Sequence, residues 1–283
     1  MNYRNYPDIS PKQTEIMELV KKFRFINRGQ IQKFLGHKGA HRINVWLKDL
    51  VEKNFLGRIY SKKILENTKP AIYYLQNNGI LWAKIRMEEN LGDYELATKV
   101  VKKFYADKRA SNTFIDHSIS ICELCIQFKE LEGKKWDYDC LTKSDYYSWF
   151  ANDKDFDVQR QFISDIYIEK ITKTWSDSQT YCLDLFPPHV PKYYLDYRVR
   201  QYIKMKTEGI MKYMEGLDNL LPKVLFVLPN QRKLNSLARY IREMFDESYD
   251  MEGMVFMLTT YQKVQAYGVG EKKIWNLVTE DME

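Results

Sequence analysis

The chain has 283 residues and no apolar run long enough to span a bilayer, which excludes a transmembrane helix. Its opening, Met1-Asn2-Tyr3-Arg4-Asn5-Tyr6, lacks the apolar core of a secretory signal, so the expected location is cytoplasmic, with no membrane partner. There is no glycine-rich phosphate loop, no G-x-S-x-G elbow and no H-E-x-x-H pair. These absences remove the familiar signatures of nucleotide hydrolysis, serine esterases and zinc proteases. Cysteine is scarce. Cys122, Cys125, Cys140 and Cys182 make no disulfide framework. Cys122 and Cys125 do form a C-x-x-C, but inside a run from Phe114 to Leu131 that reads as one buried helix. No second Cys or His pair stands at zinc spacing, so these read as core cysteines and His117 as a packed or capping histidine. No cofactor and no metal ligand set is expected.

What is present is enough apolar material, 45% of residues with 14% aromatic, for two folded domains. Charge is unevenly placed. Residues 1–90 carry 17 Lys and Arg against 8 Asp and Glu, a net of +9, whereas the whole chain nets +6, leaving −3 for residues 91–283. An excess confined to one end fits a module that meets a polyanion.

That end reads as a winged helix-turn-helix. Ser10-Pro11-Lys12-Gln13 is a helix start: Ser10 caps, Pro11 suits the first turn and Gln13 reaches back. Ile16, Met17, Val20 and Phe23 follow at helical spacing. Asn27 and Gln30 repeat the start signal, Ile31, Phe34 and Leu35 give the second helix its stripe, and Gly36 ends it. A third helix runs from about Ala40 to Lys53, with Ile43, Trp46, Leu47, Leu50 and Val51 inward and Asn54 as a left-handed cap. Phe55–Lys62 and Ala71–Leu75 read as strands flanking a polar tip, and a further helix begins near Ile80, with a break at Asn90-Leu91-Gly92-Asp93. The expected domains are 1–80, the winged helix; 81–112, a helical connector; and 113–283, a mixed α/β sheet domain.

The outer face of the third helix carries Lys38, His41, Arg42, Asn44 and Lys48. Arg and Asn have the donor and acceptor geometry for base edges in the major groove, and Lys suits phosphates. Ser61, Lys62, Lys63 and Lys69 of the wing would lie on the backbone or minor groove. The expected partner is double-stranded DNA, and the bland alternative is a solvated helix face or a protein-binding winged helix.

Farther along, Trp136–Tyr147 reads as a strand and an irregular turn. Phe162–Ile171 and Thr180–Phe186 read as strands, Pro191–Met214 as a helix, Lys223–Leu228 as a buried strand, residues 230–245 as a helix capped by Asn230, and Met254–Leu258 as another strand. This order means a mixed sheet faced by helices, so the fold class is α+β. In the helix after Pro191, Tyr194, Tyr197, Val199, Tyr202 and Ile203 are the candidate packing residues. Asp165 and Asp184 fall on neighbouring strands, the placement that holds Mg²⁺ in PD-(D/E)xK nucleases. They are the candidate catalytic residues of a metal-dependent nuclease or nickase. The lysine expected two positions after the second acid is replaced by Phe186, although Lys192 or Lys204 lies nearby in sequence. The domain therefore reads as a degenerate nuclease-like fold, and the protein as more binder than enzyme. A third reading is a transcriptional regulator whose aromatic residues (Trp136, Tyr146, Tyr147, Trp149, Trp175, Tyr193, Tyr194) line a ligand pocket, although a core would use them equally well.

Three stretches carry a family resemblance: Ala71-Ile72-Tyr73-Tyr74-Leu75 with Gly79; Phe114-Ile115-Asp116-His117-Ser118-Ile119-Ser120-Ile121-Cys122-Glu123-Leu124; and the strand at Asp165 followed by Tyr181-Cys182-Leu183-Asp184-Leu185 and a helix through Arg200-Gln201-Tyr202. Together they resemble the replication-relaxation proteins of plasmids and integrative or conjugative elements of Gram-positive bacteria. That family usually has Pro-Asp in the first strand and acidic-x-acidic with Arg-Gly-Thr in the second. Here stand Ser164-Asp165 and Asp184-Leu185-Phe186-Pro187-Pro188. The resemblance implies a DNA-binding accessory of a mobile element, serving its replication, mobilisation or transcriptional control. A relaxase or replication protein is an expected partner, and a homodimer an expected assembly.

Overall fold

The structure, a computed structural model, describes residues 6–60, 70–133, 136–149, 163–172, 179–208, 221–247 and 251–279. The protein is α+β, and its contacts divide it into two units: residues 1–126 with 144–156, and residues 127–143 with 157–283.

The first unit begins with α1 (Pro11–Phe23), β1 (Ile26–Asn27), α2 (Arg28–Phe34) and α3 (His41–Glu52). Both expected start signals are made. Ser10 and Gln13 close a reciprocal capping box on α1, and Asn27 and Gln30 close another on α2, satisfying amides that a helix start leaves bare. Each glutamine then goes further than a cap. Gln13 Nε2 donates to Asp49 Oδ2 of α3 at 2.6 Å, and Gln30 Nε2 donates to the Ile119 carbonyl at 2.9 Å. Ile16, Met17, Val20, Ile43, Leu47 and Leu50 pack as the core between these helices, each at most 1% exposed. Gly36 and Asn54, at φ 65° and 57°, end α2 and α3 in the left-handed conformation.

Two short strands follow, β2 (Leu56–Ile59) and β3 (Ile72–Leu75), and the sheet order β1-β3-β2 is antiparallel throughout. The expected wing tip, with Ser61, Lys62, Lys63 and Lys69, lies outside the described residues. Next come α4 (Asn77–Leu91) and α5 (Tyr94–Tyr105), separated at Gly92 and restarted by Asp93, whose side chain accepts from Leu96 N at 3.0 Å. Then α6 (Asn112–Glu130) runs unbroken through both C-x-x-C cysteines. Cys122 and Cys125 are buried, and burial pushes the Cys122 thiol well above its ordinary range, so the core reading of this pair holds.

Gly79 sits where α4 crosses the end of α3. A β-carbon there would come within 2.2 Å of the Phe55 carbonyl oxygen and 3.0 Å of Met17 Cε. Backbone cannot yield as a flexible side chain can. Gly79→Ala is therefore expected to destabilise the protein by about 1–3 kcal/mol in denaturant unfolding, the cost of overpacking. A second constraint in this unit is the Arg24 guanidinium, which pairs with buried Asp107 and donates to the Lys103 carbonyl at 3.1 Å. Burial, with Arg24 beside it and against the pull of Asp145 and Asp107, lowers the Lys103 ammonium to about 7, while Lys21 adds a further repulsion. A lysine held below its unfolded value binds fewer protons folded than unfolded, so this group contributes stability that rises from about pH 7 towards ~10.4. Lys103→Met is expected to flatten the stability rise between pH 7 and pH 9, read by chemical denaturation of both proteins at each pH.

The second unit is one six-stranded mixed sheet. Its elements are β4 (Trp136–Thr142), β5 (Ile166–Thr172), β6 (Gln179–Leu185), α8 (Lys192–Thr207), β7 (Lys223–Leu228), α9 (Gln231–Glu247), β8 (Phe256–Thr260), α10 (Tyr261–Tyr267) and β9 (Asn276–Val278). Between β4 and β5 the expected irregular turn is instead a helix, α7 (Lys143–Trp149). The order is β4-β5-β6-β7-β8-β9, with β6-β7-β8 parallel and the outer pairs antiparallel. Parallel neighbours need crossover helices, which α8 and α9 supply. The continuous apolar run of β7 is buried from Val224 to Leu228, as a strand covered on both faces must be. Asn230 caps α9 by accepting from Lys233 N at 3.0 Å.

Candidate nucleic-acid interface and buried carboxylate cluster

Helix α3 has two unlike faces. Ile43, Leu47 and Leu50 are buried, whereas His41, Arg42, Asn44 and Lys48 are all exposed, as is Lys38 just before the helix. His41, Val45 and Lys48 recur at i, i+4 and i+7 along the outermost line, with Arg42 and Asn44 flanking it. The turn that aims this helix is held by Gln32, whose Nε2 donates to the carbonyls of His37 at 3.0 Å and Lys38 at 3.3 Å. His37 also packs edge-on against Trp46 at 5.4 Å. The first turn of α3, which holds His41 and Arg42, has neither an acidic residue nor a side-chain cap. Two residues were missed by sequence reasoning. Val45 is 53% exposed in the middle of the polar face. Arg58 is exposed on β2, its guanidinium 5.4 Å from the Tyr60 ring. Val45 carried a readable signal, an apolar residue on the outward line of a helix whose inner stripe is already complete.

In the second unit the two candidate acids meet. The β5–β6 pairing, with Ile166 opposite Leu183, brings Asp165 beside Asp184. The Asp165 amide donates to Asp184 Oδ1 at 3.1 Å, and the Leu185 amide donates to Asp165 Oδ2 at 2.9 Å. Both carboxylates are already engaged by cations. Arg198 of α8 donates from Nε to Asp184 Oδ2 at 2.6 Å and from Nη2 to Oδ1 at 3.2 Å, and Tyr202 donates its hydroxyl to Oδ2 at 2.9 Å. Lys143 Nζ lies 2.6 Å from Asp165 Oδ1. Arg198 also reaches the Ile163 carbonyl at 3.0 Å and Gln201 Oε1 at 3.0 Å.

Burial and ion pairing oppose one another here, and pairing wins. Asp184 and Arg198 are 4% and 5% exposed. Burial disfavours the guanidinium charge, but Asp184 more than restores it, and the Arg198 value stands above the ordinary one. Half of the Lys143 side chain is open to solvent; partial desolvation opposes its charge, yet Asp165 and Asp184 raise it. Tyr202, buried, is pushed far up despite Arg198 and stays a donor.

The carboxylates thus have a proton donor on every oxygen. A divalent cation would have to displace Arg198 and Lys143, so the donor set does not suit a metal ion. Among the described residues no three His, Cys, Asp or Glu side chains gather as a metal site. Phe186, in the lysine slot, is buried and packs on Phe226 at 5.2 Å. Lys192 and Lys204 lie on the exposed face of α8, and Lys204 sits 3.4 Å from Glu208. The lysine at the acids is Lys143, which sequence reasoning did not find. Thr142 pairs with Ile166, so the register of β4 on β5 delivers it, and register is a long-range property. Arg198 was legible in principle: with Leu195, Val199 and Tyr202 it completes an apolar stripe, and an arginine there demands a buried counter-charge.

The fold is α+β, and comparison with known families places the chain. The replication-relaxation family model matches residues 17–175, just over half of the chain, which therefore belongs to that family. The match takes in the Ile72–Leu75 strand, the Phe114–Leu124 helix and Asp165, and stops before Asp184 and Arg198. No curated protein and no solved structure matches the chain. Among the described residues no helix is long and apolar enough to cross a membrane.

Removing one partner of a buried ion pair strands the other. Arg198→Met is expected to cost about 3–5 kcal/mol of stability. The double variant Asp184→Leu/Arg198→Met is expected to recover part of that loss, and a double-mutant cycle in denaturant measures the coupling.

Proposed function

We propose that residues 1–80 form a winged helix-turn-helix that binds double-stranded DNA, with α3 in the major groove. The carrying observation is the exposed polar face of α3, set on a helix whose other face is core, at the end of the chain that holds the whole positive excess. Arg42 and Asn44 are the base readers, since both side chains can make paired hydrogen bonds to a base edge. Val45 is suited to a thymine methyl. Lys38, His41 and Lys48 face phosphates, as do Ser61, Lys62, Lys63 and Lys69 of the wing. The start of α3, without a side-chain cap or an acidic residue, favours a phosphate there.

In this reading residues 81–112 connect the DNA-binding domain to an α/β domain at 113–283 that serves assembly or recruits a partner, such as a relaxase or replication protein. The protein acts in the cytoplasm on the replication, mobilisation or transcription of a plasmid or other mobile element, which the family membership supports. A homodimer would bring two copies of α3 to a pseudo-palindromic site. The saturated carboxylates favour this binding role over a metal-dependent nuclease.

Gel-shift or anisotropy titrations on element and random duplexes test the proposal. Arg42→Ala and Asn44→Ala are each expected to cost about 1–3 kcal/mol on the preferred site and to narrow its advantage over random DNA. Lys62→Ala and Lys63→Ala should weaken all duplexes alike and reduce the salt slope by about 0.9 per lost phosphate contact. Equal effects of all four substitutions on every duplex would rule out α3 as the reader. Absence of duplex binding at low salt would end the DNA proposal itself.

A further inference from the structure

Helix α8 turns a second aromatic surface outward. Tyr193, Tyr197, Arg200 and Lys204 recur at i, i+4, i+7 and i+11, one line along a helix, and all are exposed, while Leu195, Val199 and Tyr202 on the opposite arc are buried. Tyr194 and Tyr197, expected in the core, are 45% and 46% exposed, and Tyr193 is 72% exposed. Three large exposed rings within five residues are not needed to close this core, and such clusters mark interaction surfaces.

Two of the rings, Tyr194 and Tyr197, are mounted rather than loose. Gln201 Nε2 donates to the Tyr197 hydroxyl at 2.8 Å, and Arg198 Nη1 donates to Gln201 Oε1 at 3.0 Å, so Tyr197 is braced on the buried Asp184 cluster. Tyr194 lies 6.4 Å from Tyr197 and 6.5 Å from buried Phe186, centre to centre.

The surroundings are cationic. Lys192, Arg200 and Lys204 are exposed on α8 itself. Lys233 of α9 donates to the Pro188 and Val190 carbonyls, just before the positive end of the α8 dipole. The opposing charges are Asp196, beside Lys192 and Arg200, and Glu208, beside Lys204; Glu243 of α9 faces Asp196, and Arg200 bonds Tyr240 of α9, near which Glu247 also lies. This stands out in a stretch, residues 91–283, that nets −3.

We infer that this face of α8 binds single-stranded DNA, stacking unpaired bases on Tyr193 and Tyr197 while Lys192, Arg200 and Lys204 neutralise phosphates. Aromatic rings interleaved with cations take single strands of any sequence because every base has a π-face. A duplex hides those faces. Tyr193 to Lys204 spans about 16 Å of helix, room for a few nucleotides. The inference is independent of α3 and stands whether or not the first unit reads duplex DNA.

The test uses the full chain and a fluorescein-labelled oligo(dT) 20-mer at low salt, with a random duplex in parallel. Tyr193→Ala/Tyr197→Ala is expected to weaken oligo(dT) binding roughly five- to more than a hundredfold and to abolish tyrosine quenching by the oligonucleotide, with duplex affinity unchanged. Tyr193→Phe/Tyr197→Phe, which keeps both rings, should bind oligo(dT) within about twofold of the parent. Arg42→Ala should affect the duplex alone. Both tyrosines of the alanine variant are exposed, so its melting temperature checks that folding is intact. The inference is overturned if the parent protein fails to bind oligo(dT), if the alanine variant binds it as tightly as the parent, or if duplex affinity falls in step.

Discussion

The second unit is organised around one ion pair. Asp184 belongs to β6 and Arg198 to α8, and the guanidinium holds three other groups besides: the Ile163 carbonyl before β5, Gln201 and the Tyr202 hydroxyl. Asp184 in turn accepts the Asp165 amide. Two strands and the crossover helix are therefore fixed to one buried charge pair. Such a pair contributes little net stability over an apolar replacement, because desolvation offsets most of its Coulomb energy. Its value is positional: a guanidinium surrounded by matched acceptors admits few alternative placements of α8.

The first unit reaches the same end with neutral groups. Gln13 and Gln30 each close a capping box and then use the remaining amide hydrogens to tie helices together. The energy of each bond is modest, about 0.5–1.5 kcal/mol, but a buried glutamine left without partners would cost more. The outward face of α3 owes its orientation to this polar bracing as much as to Ile43, Leu47 and Leu50.

Local signals were read well from the chain. Caps at Ser10, Asn27 and Asn230, the break at Gly92-Asp93, the left-handed Asn54, the unbroken cysteine-bearing helix and the apolar β7 depend on residues within a few positions of one another, and all are present. The neighbouring strands of Asp165 and Asp184 were also legible, through their alternation with turns and helices. What escaped was set by distance in sequence. Lys143 reaches Asp165 only through the β4–β5 register, and Arg198 finds Asp184 only once α8 has crossed back over the sheet. Tyr194 and Tyr197 of α8, unlike Tyr202, misled for a different reason. Aromatic residues near a predicted core are usually part of it, and the stripe that decides the matter is a quarter-turn away.

The margins of the six-stranded sheet have a consequence for how copies of this chain can meet. At one side β9 has only three residues. At the other, β4 turns Asp137 and Asp139 to solvent between half-buried Trp136 and Tyr138. A short strand offers too few free amides and carbonyls to seed a ladder, and two copies of an acidic margin repel when laid side by side. The sheet is a poor template for its own extension, which guards against fibre-like stacking at high local concentration. Self-assembly of this unit is left to its helices and loops, where partners can be chosen by side chain rather than by backbone.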